Sequence, residues 1–184
     1  LDIHLEAEDV RRLAGDAAAL GRPHVADALV AAGVVASRDQ AFAELLGPGG
    51  PAYVDRYAAD LVTMIHTVAD AGGVSVIAHP WASRYRHSAL DGSGLESLHA
   101  QGLAGIEVDH EDHDAATRER LRGLARELDL VVTGSSDYHG SGKEGHHLGC
   151  NTTEPEQLER LLELAARAAE RSGRECPGVV SPRG

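Results

Sequence analysis

Apolar residues fall into two regimes along the chain. Up to about Tyr57 they recur at helical spacing and no segment alternates at period two. Glu6–Leu20 is Ala- and Leu-rich and is read as a helix stopped by Gly21. Pro23 suits the first turn of a second helix running to Ala32, with Gly33 as its stop. Ser37 is placed to cap a third helix, Arg38–Leu46, which the run Gly47-Pro48-Gly49-Gly50-Pro51 ends. Beyond Tyr57 short apolar strands alternate with amphipathic helices. The pattern predicts a helix over 59–71, a strand over Val74–Ala78, a helix over 94–101 and a strand over Gly105–Val108. It continues with a helix over 114–128, a strand over Leu130–Thr133 and a helix over 155–171. Helix alternating with buried-type strand implies parallel βα units, and three strands are too few to close a barrel. The expected organisation is a helical subdomain over 1–58, βα units over 59–172 and a loose Gly- and Pro-rich tail over 173–184.

Composition narrows the function classes. The 184 residues are 42% apolar but only 3% aromatic, so the core rests on Ala, Val and Leu. No apolar run approaches the roughly 20 residues that span a bilayer. A net charge of −12 repels polyanions, which excludes extended nucleic-acid coating but leaves a small phosphorylated substrate whose charge a bound cation offsets. The start Leu1-Asp2-Ile3-His4 has neither an initiator Met nor a signal pattern and reads as a cut or processed beginning. Cys150 and Cys176 form no CxxC pair and fit a reduced, cytoplasmic protein. The sequon at Asn151-Thr152-Thr153 carries little weight without a secretory signal.

Eleven histidines is a high count for this length, and their positions matter more than their number. His79-Pro80 follows the first strand. Asp109, His110, Glu111, Asp112 and His113 follow the second, with Glu107 inside its end. Gly134-Ser135-Ser136-Asp137-Tyr138-His139-Gly140 follows the third. Carboxyl ends of parallel strands are where α/β proteins build their sites, so three successive ends bearing imidazole or carboxylate outweigh any one of them. Asp137 and His139, two apart in extended backbone, would project to one side and offer an oxygen and a nitrogen donor suited to Zn, Mn or Fe. Pro80 biases His79 toward an extended exit from its strand. Taken alone, each has a blander reading: a capping Asp, a solvent-facing His, a His at a sheet edge. Glu107, His110 and His113 are weaker candidates in a charge-rich loop, with His113 read as solvated. His146-His147 is read as a polar loop, and His4, His66, His87 and His99 belong to no constellation. Arg22-Pro23-His24 at a helix start suits phosphate, which a guanidinium can grip through two oxygens. In isolation it is also an ordinary helix entry.

In order, these residues resemble a known pattern. Arg22-Pro23-His24-Val25-Ala26, Ala28-Leu29-Val30 and Pro51-Ala52-Tyr53-Val54 are similar to the helical insertion of PHP (polymerase and histidinol phosphatase) phosphoesterases of the TrpH/YciV type. Ala78-His79-Pro80, Gly105-Ile106-Glu107-Val108 and Gly134–Gly140 resemble three later motifs of that family, the likeness covering roughly residues 10–150. The resemblance implies an α/β fold, a partial distorted (β/α)7 barrel of the PHP type with a small helical insertion domain. It implies divalent metal ions, with His79, Asp137 and His139 as ligands and Arg22 and His24 as catalytic, substrate-binding residues facing the phosphate. The activity implied is hydrolysis of a phosphomonoester of a nucleotide or short oligonucleotide. Two departures stand out. The family's opening His-x-His strand and further ligands precede the Arg-Pro-His insertion, yet nothing like them precedes Arg22, and residues 1–21 are too short for four strands. The extra serine in Gly134-Ser135-Ser136-Asp137 is the second. The expectation is a chain lacking the amino-terminal metal ligands and weakly active or inactive alone. The alternatives are a non-catalytic phosphate- or nucleotide-binding module and a homo-oligomer joined through an open sheet edge.

Overall fold

The computed structural model describes residues 1, 3–17, 19–54, 58–82, 90–140, 143–176 and 178. Residues 177 and 179–184 of the expected tail, and His87, lie outside the described residues. The chain divides into two compact units, Leu1–Tyr57 with Tyr138–Glu144, and Ala58–Asp137 with Gly145–Gly184.

The first unit is helical. α1 (Ala7–Ala14) is shorter than its periodicity suggests. The stop is Gly15 rather than Gly21: at φ +56° Gly15 sits where a Cβ is strained, and its N–H closes on Arg11 O at 3.2 Å. α2 (Arg22–Ala31) starts with Pro23 in its first turn and is followed by Gly33 at φ +70°. α3 (Arg38–Ala41) is capped by Ser37, whose hydroxyl accepts from the Gln40 N–H at 3.2 Å. The helix then widens to a π turn over Phe42–Leu46, closed by Gly47 N–H on Phe42 O at 2.8 Å. A small core of Ala26, Leu29, Val35, Ala41 and Leu46 holds these pieces together.

The second unit has the expected βα rhythm. α4 (Leu61–Asp70) precedes β1 (Val76–Ile77), α5 (Gly92–Ala100) leads to β2 (Gly105–Asp109), α6 (Ala115–Glu127) to β3 (Val131–Gly134), and α7 (Pro155–Arg171) follows. Three of these helices start on side-chain caps. Asp60, Asp91 and Asp114 accept from the N–H groups of Thr63, Gly94 and Thr117 at 2.9, 2.9 and 2.7 Å. The strands form one parallel sheet in the order β1-β2-β3, pairing Val76 with Gly105 and Gly105 with Val131. β1 is shorter than its apolar run, although Ser75 O still accepts from Ala104 N–H at 3.0 Å. Leu95, Leu103, Ile106, Val108 and Leu121 are fully enclosed around β2, with Ile65, Leu98, Ala125 and Leu130 completing the core. Burying each large aliphatic there is worth roughly 1.5–3 kcal/mol, which fixes the sheet whose tips carry the polar residues.

Candidate metal centre

The carboxyl ends of the three strands hold the unusual backbone. Among the described residues, the non-glycine positions at positive φ are His79 (29°), Asp129 (54°) and Asp137 (48°). Asp129 lies in the turn between α6 and β3, but His79 and Asp137 lie two and three residues past the ends of β1 and β3. Such conformations cost about 1–3 kcal/mol each and persist where surrounding contacts over-determine them.

Those contacts run through Glu107, only 6% exposed near the end of β2. Its Oε2 accepts from the His79 N–H at 2.8 Å and its Oε1 from the Ser135 hydroxyl at 2.6 Å. Ser135 Oγ in turn accepts from the Asp137 N–H at 3.3 Å. The ladder shifts register between Glu107 and Asp109, where Ser135 N–H reaches Asp109 O at 3.1 Å. The bulge redirects β2 into the loop that carries His110.

His110 is the hub. It is fully buried, and its ring centroid lies 4.8 Å from His79, 5.6 Å from His113 and 5.5 Å from His146. Its Nδ1 accepts from the Asp112 N–H at 3.1 Å, so the neutral ring carries its proton on Nε2. That Nε2 lies 3.6 Å from Asp137 Oδ2 and makes no hydrogen bond among the described residues. Burial holds the His110 pKa below the ordinary histidine value. His79 pushes the same way, against the opposing carboxylates of Glu107, Asp112 and Asp137. α6 fastens the loop: Arg118 donates to His110 O at 2.7 Å and to His113 O at 3.0 Å, while Arg122 pairs with Asp109.

His113 and His146 have the opposite tautomer. Val108 O and Ser136 O can only accept, so the rings donate from Nδ1 at 2.9 and 2.8 Å and keep a lone pair on Nε2. This is how metal-binding histidines are commonly oriented. His113 Nε2 is buried without a hydrogen-bond partner among the described residues, and His146 Nε2 lies 3.7 Å from Asp112 Oδ1. Two sets can bring one donor atom each within 4.8 Å of the others: His79, Glu107 and His110, and His110, Asp137 and His146. Ligands of one zinc ion stand roughly 3.4 Å apart, given Zn–N and Zn–O bonds near 2.0–2.2 Å, and His110 Nε2 and Asp137 Oδ2 at 3.6 Å are already close to that separation. The mixture of imidazole nitrogen and carboxylate oxygen suits a divalent transition metal. Ligation by His110 through Nε2 would require giving up the Asp112 N–H bond, and His110 is the residue that both sets share.

The residues singled out in the sequence divide between the units. His79 and Asp137 flank His110 in the second. His139, Arg22 and His24 belong to the first. His139 is exposed, and its carbonyl accepts from Arg38 Nη1 at 2.7 Å. Arg22 donates to Leu46 O at 3.4 Å and its guanidinium stands 5.6 Å above the Tyr53 ring. His24 Nδ1 accepts from the Gly21 N–H at 3.0 Å, leaving Nε2 to carry the proton of the neutral ring. The solvated readings of His113 and His146 do not hold, since the two are 2% and 4% exposed. Their spacing hides this because a loop folded back over strand ends has no period. The usable signal was Glu107, an acid inside an apolar strand, which needs polar partners close by.

No family model matches the chain. A protein of Bifidobacterium adolescentis assigned as a metal-dependent phosphoesterase shares its fold at a TM-score of 0.82 and 36% identity, covering 89% of this chain and 57% of that one. A 5'-3' exoribonuclease of Haemophilus influenzae is 36% identical over 122 residues, 64% of this chain and 43% of the relative. A 3',5'-nucleoside bisphosphate phosphatase of Chromobacterium violaceum is 31% identical over 130 residues, 71% of this chain and 45% of the relative. The chain thus spans a little under half the length of these two curated relatives. With the ordered motifs and the shared fold, these likenesses show that the chain belongs to the PHP-type metal-dependent phosphoesterases.

Proposed function

We propose that this chain is part of a phosphoesterase that removes a phosphate from a nucleotide or short oligonucleotide with the help of Mn, Zn or Fe. The reading rests on one observation above all: the tips of three successive parallel strands bring His79, Glu107, His110 and Asp137 together, with His146 joining from the loop beyond. The relatives support the substrate class, since one is named a 5'-3' exoribonuclease and the other a 3',5'-nucleoside bisphosphate phosphatase. In this reading residues 1–58 are the insertion and 59–172 the βα units of a partial (β/α)7 barrel.

A bound divalent cation would acidify a water and neutralise charge on the phosphoryl group. The chain's own residues do the rest. His79, Asp137 and His139 supply ligands, with His146 as a further donor. Arg22 grips phosphate oxygens through its planar fork. His24, with Nδ1 engaged by its own helix start, presents a protonated Nε2 that can donate to the leaving oxygen. The relatives are longer than this chain, and in this reading the 184 residues alone turn over weakly, with self-association through a sheet edge as a further expectation.

The test is a colorimetric phosphatase assay on nucleoside bisphosphate with added Mn2+ or Zn2+, paired with light scattering for oligomer size. Weak, metal-dependent turnover lost in Asp137→Ala agrees with the reading. Turnover indifferent to metal and to Asp137→Ala contradicts the reading, and nucleotide binding without metal dependence and without turnover favours a binding module instead.

A further inference from the structure

We infer that Glu107 and Ser135 form a positioning relay that holds His79 and Asp137 in their ligand-presenting backbone conformations, rather than a ligand and a spacer. The inference rests on the reading of His79 and Asp137 as metal ligands given above.

Both carboxylate oxygens of Glu107 are engaged at short range, one by the backbone N–H of His79 and one by the Ser135 hydroxyl. The same hydroxyl oxygen accepts from the Asp137 N–H. One carboxylate and one hydroxyl thus tie together the exits of β1 and β3, and the residues they hold are those two at positive φ after strands. Neither His79 nor Asp137 is glycine, so each needs an external contact to keep a conformation that L-residues rarely adopt. A hydrogen bond to a carboxylate is stronger than one between neutral groups. Glu107 is buried, so it also needs these donors: an unpartnered carboxylate in that place would be costly. Each member of the relay therefore satisfies a requirement of another. This accounts for the second serine before Asp137, where a residue without a hydroxyl would leave Oε1 of Glu107 and the Asp137 N–H unsupported.

The relay differs from ligation in what it tolerates. A ligand carboxylate needs its charge. A positioning acceptor needs an oxygen facing His79 N–H, and Glu107→Gln keeps one while its amide can donate to Ser135 Oγ.

The experiment measures Zn2+ affinity of the full chain by competition with a chromophoric chelator, alongside thermal unfolding and circular dichroism of each metal-free variant. Outer-shell partners typically change metal affinity by about 10–100-fold, so Ser135→Ala is expected to weaken Zn2+ by about tenfold, and Ser135→Thr and Glu107→Gln to stay within about threefold of wild type. Ser135 is exposed, so its truncation leaves the fold intact and the loss is read on folded protein. His79→Ala and Asp137→Ala serve as references. If they weaken Zn2+ while Ser135→Ala does not, the relay is wrong and the metal reading stands. Loss of binding in Glu107→Gln as complete as in Asp137→Ala makes Glu107 a ligand and overturns the relay. If neither reference variant affects Zn2+, the metal reading itself falls and takes the relay with it.

Discussion

Two glycine-to-alanine substitutions in the second unit should move stability in opposite directions. Gly105 opens β2, opposite Val131 of β3, and a Cβ there would meet Val131 O at 2.6 Å and Val131 Cβ at 3.1 Å. Ordinary contact begins near 3.4 Å, so the strands must part by about 0.8 Å. Val131 is fully buried, and its N–H is already bonded to Ala104 O at 2.9 Å, a bond that such a shift stretches past useful length. Losing that bond and overpacking the strand pair together cost about 1–3 kcal/mol. The reduced freedom of the unfolded chain returns about 0.4–1 kcal/mol, which leaves Gly105→Ala less stable by roughly 1–2 kcal/mol. Gly123, inside α6, has nothing within 4 Å of its added Cβ. There helix propensity acts unopposed, and Gly123→Ala should gain about 0.8–1 kcal/mol. Urea unfolding of wild type and both variants, fitted with a common m-value, reads the difference directly. A Gly105→Ala protein as stable as wild type would refute the claimed close approach of β2 to β3.

Other outcomes follow from the same contacts. Leu121→Ala empties a fully enclosed position in the main core and should cost about 3 kcal/mol, seen as a fall in Tm of about 6–12 °C. Metal-free protein should lose stability as pH falls. The His110 pKa is lower folded than unfolded, so its contribution is complete above about 6.5 and is lost as protons bind the unfolded chain first. Thermal melts from about pH 8 to 5.5 should show this slope, and His110→Gln should flatten it; an unchanged slope rejects the assignment. In the first unit Arg38 pairs with Asp27, the two side chains 17% and 32% exposed, and also holds the His139 carbonyl. A double-mutant cycle with Arg38→Met and Asp27→Asn should give a coupling of about 1 kcal/mol, above a typical surface pair. A coupling indistinguishable from zero would reduce the pair to a surface contact.

Much of the fold was legible in the sequence because its signals are local. Gly33 follows α2 and α7 spans Pro155–Arg171 as the sequence indicates, whereas the caps at Asp60 and Asp91 start their helices at Leu61 and Gly92 rather than at the expected 59 and 94. Gly15 against Gly21 shows the limit, since two candidate stops in one run cannot be ranked without knowing which adopts positive φ. The site was legible only where it follows strands directly. His79 and Asp137 could be found by counting from a strand end. His110 also follows β2 directly, but the bulge at Glu107/Asp109 decides that it turns inward, and His146 could not be found this way because the return of the 145–150 loop places it. The tautomers of His110, His113 and His146 are set by partners that a linear sequence does not pair.

The left-handed backbone at His79 and Asp137 has a practical corollary for anyone engineering this protein. Glycine at either place would relax a conformation that costs about 1–3 kcal/mol, so selection for heat resistance alone would favour it. The same exchange deletes an imidazole or a carboxylate from the strand tips. Directed evolution on this scaffold therefore has to screen for cation uptake together with melting temperature, or it will enrich sturdier molecules stripped of their chemistry.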